Sequence, residues 1–93
     1  MTQPKDYELV LTPPAQGAIA ERFPESVAAA VIDFLTTALI ENPQRVGKPL
    51  RDDLAGIWSA RRGTYRVLYR MGDEKQEVVV LCVEHRRDAY RPL

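Results

Sequence analysis

The chain has 93 residues, enough for one domain and too few to divide a core, and a chain of this size buries roughly 60–65% of the surface it exposes when unfolded. Its single cysteine, Cys82, excludes an internal disulfide and suits a reducing compartment, while the absence of a leader-like N-terminus or of about 18 consecutive apolar residues argues against export or a membrane span. Thirteen bases and thirteen acids cancel, yet residues 1–42 hold two bases against six acids and residues 43–93 eleven against seven, an asymmetry that points to an anionic partner, polynucleotide or acidic protein.

In chain order, Tyr7–Leu11 reads as a short strand, and Thr12 as an N-cap before Pro13-Pro14, which fit a first helical turn. A first helix should run to about Arg22, with Ala15, Ala18 and Ile19 on its apolar face, until Phe23-Pro24 breaks it. Pro24 then opens a second helix, with Glu25 in a first turn where a carboxylate suits the helix dipole. Val27, Val31, Phe34, Leu35 and Ala38 form its stripe, and Asn42-Pro43 ends it. Gln44–Ala55 reads as a loop carrying Arg45, Lys48 and Arg51 among the turn residues Gly47, Pro49 and Asp52-Asp53. Three strands should follow, Gly56–Arg62, Thr64–Met71 and Gln76–Glu84, the first two turning at Gly63-Thr64 and the last two joined through Gly72–Lys75. The third is apolar at both parities, which places it inside the sheet rather than at an edge. The expected fold class is therefore α+β, a two-layer β-α-α-β-β-β domain with an N-terminal helical hairpin packed on one face of a mostly antiparallel twisted sheet.

Within Ile57–Arg70, four arginines alternate with aromatic and branched residues. Period-2 spacing sets Tyr65, Val67, Tyr69 and Met71 on one face of the second of these strands, and Arg66, Leu68 and Arg70 on the other. Lysine or threonine would solubilise such a face equally well; arginine is most useful where planar, bidentate contact with phosphate is wanted. One histidine and one cysteine fall short of a metal site, no Ser or Cys nucleophile has a recognisable base partner, and no Gly-rich phosphate loop is present, so no cofactor is expected. The remaining inventory of arginines, His85 and Tyr90 suits metal-free phosphodiester cleavage. There a ribose 2′-OH attacks the adjacent phosphorus, cations stabilise the growing charge, and an acid protonates the leaving oxygen. The 2′-OH makes RNA the substrate.

Gly47-Lys48-Pro49-Leu50, the run Ser59–Tyr69 and the Val83–Tyr90 ending resemble the RelE/ParE toxin superfamily, specifically the RelE branch of type II toxin–antitoxin systems, over about Thr12–Tyr90. The resemblance implies a cytoplasmic mRNA endoribonuclease that cuts in the ribosomal A site. It also implies a cognate RelB-like antitoxin as partner, contact with rRNA, operator DNA reached only through the antitoxin, and no membrane. By position, Arg61 and Arg66 match the arginines that hold the scissile phosphate, Arg86 lies near the arginine serving the leaving group, and Tyr90 matches a C-terminal tyrosine. His85 matches the late histidine of YoeB-type relatives. The two strand lysines of RelE are replaced by Ile57 and Ser59, and Lys48-Pro49 stands where YoeB-type members carry a glutamate. The base that takes the 2′-OH proton is thus open, with His85 the leading candidate. Arg45, Lys48, Arg51 and Arg62 are expected to contact RNA, the basic loop supplying salt-sensitive positioning. Arg61, Arg66 and His85 are expected to converge on one ribonucleotide linkage. Two alternatives stay open: a ParE-like toxin acting on DNA gyrase without nuclease activity, and a degenerate member that only binds its antitoxin.

Overall fold

A computed structural model describes residues 6–72 and 75–85. Strand β1 (Glu8–Leu11) leads into helix α1 (Pro13–Gly17), which continues as a π-helical turn, Ala18–Arg22. Helix α2 (Glu25–Phe34) likewise continues through a π-helical turn, Leu35–Leu39. There the Thr36 and Thr37 hydroxyls donate to the carbonyls of Ile32 and Asp33 at 2.8 and 2.6 Å, side-chain bonds that compete with the regular helical ladder. A short helix α3 (Pro43–Val46), strand β2 (Lys48–Pro49) and a 3₁₀ turn at Asp52–Leu54 precede β3 (Trp58–Arg62), β4 (Tyr65–Met71) and β5 (Glu77–His85).

The five strands form one sheet in the order β1-β5-β4-β3-β2, with β1 parallel to β5 and the other neighbours antiparallel. The α+β two-layer architecture expected from the sequence is the one observed, and β5 lies between β1 and β4 as its two-sided apolar pattern requires. Three local expectations fail. The stretch after Asn42 is not wholly loop, because Pro43 starts a further helical turn and Lys48–Pro49 adds a two-residue edge strand beside β3. Leu39, outside the expected stripe, is fully buried. Thr12 makes no side-chain cap on α1. Its hydroxyl instead lies 2.9 Å from each of the carbonyl oxygens of Val80 and Leu81, a site for a shared hydrogen bond onto β5.

That contact marks an irregularity that sets the rest of the site. Leu68 pairs with Cys82 but Tyr69 pairs with Val80, so Leu81 is an extra residue, a β-bulge. Val78 and Val80 before it, and Val83 after it, all face the helices and are buried with Val67 and Tyr69. Side chains on a regular strand alternate faces, so without the bulge Val83 would face the opposite way.

The helix-facing side holds the core: Val31, Phe34, Leu35 and Leu39 pack with Tyr65, Val67, Tyr69, Val78 and Val80. Each such side chain contributes about 1.5–3 kcal/mol by leaving water. Tyr69 is fully buried, and its hydroxyl donates to the Pro43 carbonyl at 2.6 Å, tying β4 to the start of α3. Gly47 is required beneath it, since a Cβ there would collide with that hydroxyl and lie 2.9 Å from the Ser59 carbonyl oxygen. Gly63, at φ +54°, supplies the positive φ of the two-residue turn between β3 and β4. Among the described residues no helix is long and apolar enough to cross a membrane.

Candidate functional site

On the face of the sheet away from the helices, register alone assembles a charged row. Arg61 on β3 stands opposite Arg66 on β4, and Arg66 stands opposite Glu84 on β5. Like charges directly opposite one another destabilise a sheet, so the arginine pair is a cost that an anion in front of it would offset. Glu84 offsets part of it from within the chain: its Oε1 accepts from Arg66 Nε at 3.1 Å and also from Arg66 Nη2. The two side chains remain 41% and 37% exposed, so the pair contributes about 0–1 kcal/mol to stability.

The next row on this face is less polar. Ser59 stands opposite Leu68, Leu68 opposite Cys82, and the β2 residue Lys48 opposite Ser59. Lys48 is exposed and shares the arginines' face. Cys82 is half-buried on this open side; burial pushes its thiol up, the Glu84 carboxylate pushes the same way, and Arg66 opposes them. The thiol therefore stays protonated at neutral pH and is a poor nucleophile.

The row on the other side of the same strand ends is Arg62, Tyr65 and His85, also in register. Tyr65 faces the helices, its hydroxyl donating to the Ala30 carbonyl at 3.3 Å. Its phenol is raised by burial, lowered in part by Arg62 and raised again by Asp33. His85 packs its ring against Phe23, with centroids 5.8 Å apart, and its Nε2 lies 3.2 Å from the Thr64 hydroxyl. The guanidinium of Arg62 lies over the Phe34 ring at 4.7 Å. Asp33, Thr37 and Gly63 join Arg62 and Tyr65 around a shallow groove of about 350 Å³ on this side.

The expected convergence is therefore half realised. Arg61 and Arg66 are brought together, whereas His85 lies on the helix-facing side of the sheet, and Arg62 is committed to Phe34 rather than to the arginine face. The physical reason is the Leu81 bulge, which reverses the alternation along β5 and exchanges the faces of Glu84 and His85. Arg45 is exposed on α3 and Arg51 is exposed just before the 3₁₀ turn. Arg86 and Tyr90 lie outside the described residues. The site residue that sequence reasoning passed over is Glu84; its parity could be read only by knowing the bulge. Among the described residues no three His, Cys, Asp or Glu side chains gather as a metal site.

The family model for the ParE toxin of type II toxin–antitoxin systems matches residues 9–90. The chain is 56% identical over 70 residues to Toxin RelG of Mycobacterium tuberculosis, covering 75% of this chain and 80% of that protein. It is 41% identical over 91 residues to Toxin RelE of the same organism, covering 98% of this chain and 93% of that one. Among solved structures, the toxin–antitoxin complex RelBE2 from M. tuberculosis contains a chain that is 48% identical, with a TM-score of 0.84 over 88% of this chain and 100% of that chain.

Proposed function

Because the chain belongs to the ParE toxin family and, within it, to the RelE-type toxins of type II toxin–antitoxin systems, we propose that it is a ribosome-dependent mRNA endoribonuclease acting in the cytoplasm. The observation that carries this reading is the facing pair Arg61 and Arg66 on the open side of the sheet. Two guanidiniums from adjacent strands can address the two non-bridging oxygens of one phosphodiester. As the 2′-oxygen attacks, negative charge grows on those oxygens, and donors already fixed in place stabilise it without reorganisation. The reaction needs no metal in this scheme, and its products carry 5′-OH and 2′,3′-cyclic or 3′-phosphate ends.

Lys48, on the same face, and the exposed Arg51 and Arg45 supply salt-sensitive contacts to mRNA or rRNA phosphates. Arg86 and Tyr90, which follow β5 in sequence, are assigned to the leaving group and its surroundings on the resemblance alone. The partner is a RelB-like antitoxin, supported by the likeness to a chain of the RelBE2 complex; operator DNA is reached through that antitoxin.

The test is primer extension on a message being translated by purified ribosomes. The wild-type protein is expected to yield cleavages in A-site codons, and Arg66→Ala to slow them by about 10²–10³-fold. Cleavage that required divalent metal beyond what ribosomes need would refute the metal-free chemistry. Inhibition of gyrase supercoiling by the same preparation, with the message left intact, would replace the reading by the gyrase one.

A further inference from the structure

Resting on that reading, we infer that Glu84 is a positioning residue. It fixes the guanidinium of Arg66 by one edge, so that the opposite edge is presented, beside Arg61, to the scissile phosphate. A guanidinium carries five N–H groups in one plane: one on Nε and two on each Nη. A single carboxylate oxygen of Glu84 accepts from both Nε, at 3.1 Å, and Nη2. That engages the side edge. The end edge, formed by Nη1 and the second hydrogen of Nη2, is then the one left for a phosphate to take bidentately.

Two further observations favour positioning over simple stabilisation. The pair is more than a third exposed on both sides, 41% and 37%, and ion pairs so placed add little to stability. And Arg66 stands opposite another arginine, so a free side chain would swing away from Arg61 before any anion arrived. Holding Arg66 in the row before RNA binds removes that motion from the activation barrier. Glu84 also leaves the pair of arginines with one net positive charge less, which weakens capture of phosphates that do not fit both forks.

The test has two arms. In single-turnover cleavage on programmed ribosomes, Glu84→Ala should lower the maximal rate by about tenfold or more. The toxin concentration for half-maximal rate should stay within about threefold. Glu84→Gln keeps an oxygen that accepts from Nε and should hold the rate within about threefold of wild type. A Gln variant as slow as the Ala variant would show that the carboxylate's charge or proton uptake matters instead, and would overturn the positioning role. So would an Ala variant at the wild-type rate.

The second arm does not depend on cleavage. In nitrogen-labelled protein, the Arg66 Nε–H should exchange with water about tenfold more slowly in wild type and Glu84→Gln than in Glu84→Ala. Added inorganic phosphate should move the Arg66 Nη signals more than the Nε signal. Equal exchange in all three proteins overturns the inference. A wild type that cuts no A-site message while keeping the exchange pattern overturns the nuclease reading but leaves Glu84's hold on Arg66 standing.

Discussion

On the open face of the sheet, Arg61, Arg66 and Glu84 form one row across β3, β4 and β5; on the helix-facing side, one residue along each strand, Arg62, Tyr65 and His85 form another. The two rows hold similar chemistry, yet they serve different ends. The helix-facing nitrogen side chains are engaged in packing, Arg62 over Phe34 and His85 against Phe23. Among the described residues, the open-face arginines Arg61 and Arg66 meet no aromatic ring, and Arg66 alone of the two is held by a carboxylate. What a charged strand residue does here depends on its face, and a shift of one position along the chain decides that face.

The sharpest way to break this contrast is to exchange the roles of the two middle arginines. Arg66→Ala is expected to slow A-site cleavage by about 10²–10³-fold, the loss typical of removing one preorganised donor. Its melting temperature should barely change. Arg62→Ala is expected to do the reverse, costing about 0.5–1 kcal/mol through the lost ring contact while leaving the rate within about threefold. Equal losses of rate in both would erase the distinction between the faces.

A second probe uses the helix-facing side alone. Burial pushes the Tyr69 phenol up to about 12. Above pH 10 an unfolded chain gives up this proton while the folded one keeps it, so each step upward in pH favours unfolding. Below the unfolded value the stabilisation is complete, and it is lost as pH climbs through the folded value. Denaturation followed from pH 9 to 12 should show stability declining above about pH 10. In Tyr69→Phe that part of the slope should be missing.

The bulge that separates the rows can be loosened directly. Thr12→Val keeps the shape of the side chain but removes the hydroxyl that faces the Val80 and Leu81 carbonyls. It should cost about 1–2 kcal/mol, with faster amide exchange concentrated around residues 80–83. If exchange there is unaltered, Thr12 does not hold the irregularity in place. The smallest effect is expected from His85→Ala: a cleavage rate within about threefold of wild type and a loss of about 0.5–1 kcal/mol in stability. A loss of activity comparable to that of Arg66→Ala would restore the imidazole to the reaction and undo the comparison.

Much of the architecture was legible in local pattern. The helical stripe of Val31, Phe34 and Leu35, the alternation of Tyr65, Val67 and Tyr69, the glycine turn at Gly63 and the two-sided apolar run of β5 each carry their own periodicity, and each took the place that periodicity predicts. The arginine pair was legible for the same reason, because Arg61 and Arg66 are equidistant from a two-residue turn that fixes their register. Less was legible where contacts span long stretches of sequence. Lys48–Pro49 becomes a strand only because β3 offers it an edge, and Gly47 is needed only because the Tyr69 hydroxyl arrives from β4.

By itself, then, the sequence determined the order of the longer elements, the apolar faces and the facing arginines, since helix and strand periods and a tight turn are properties of neighbouring residues. Tertiary structure decided which of Glu84 and His85 joins them. That choice rests on one extra residue, Leu81, accommodated between β5 and β4 and met by a hydroxyl from Thr12, 69 positions away in the chain. A side-chain alternation of period two cannot reveal an insertion that only its partner strand can register.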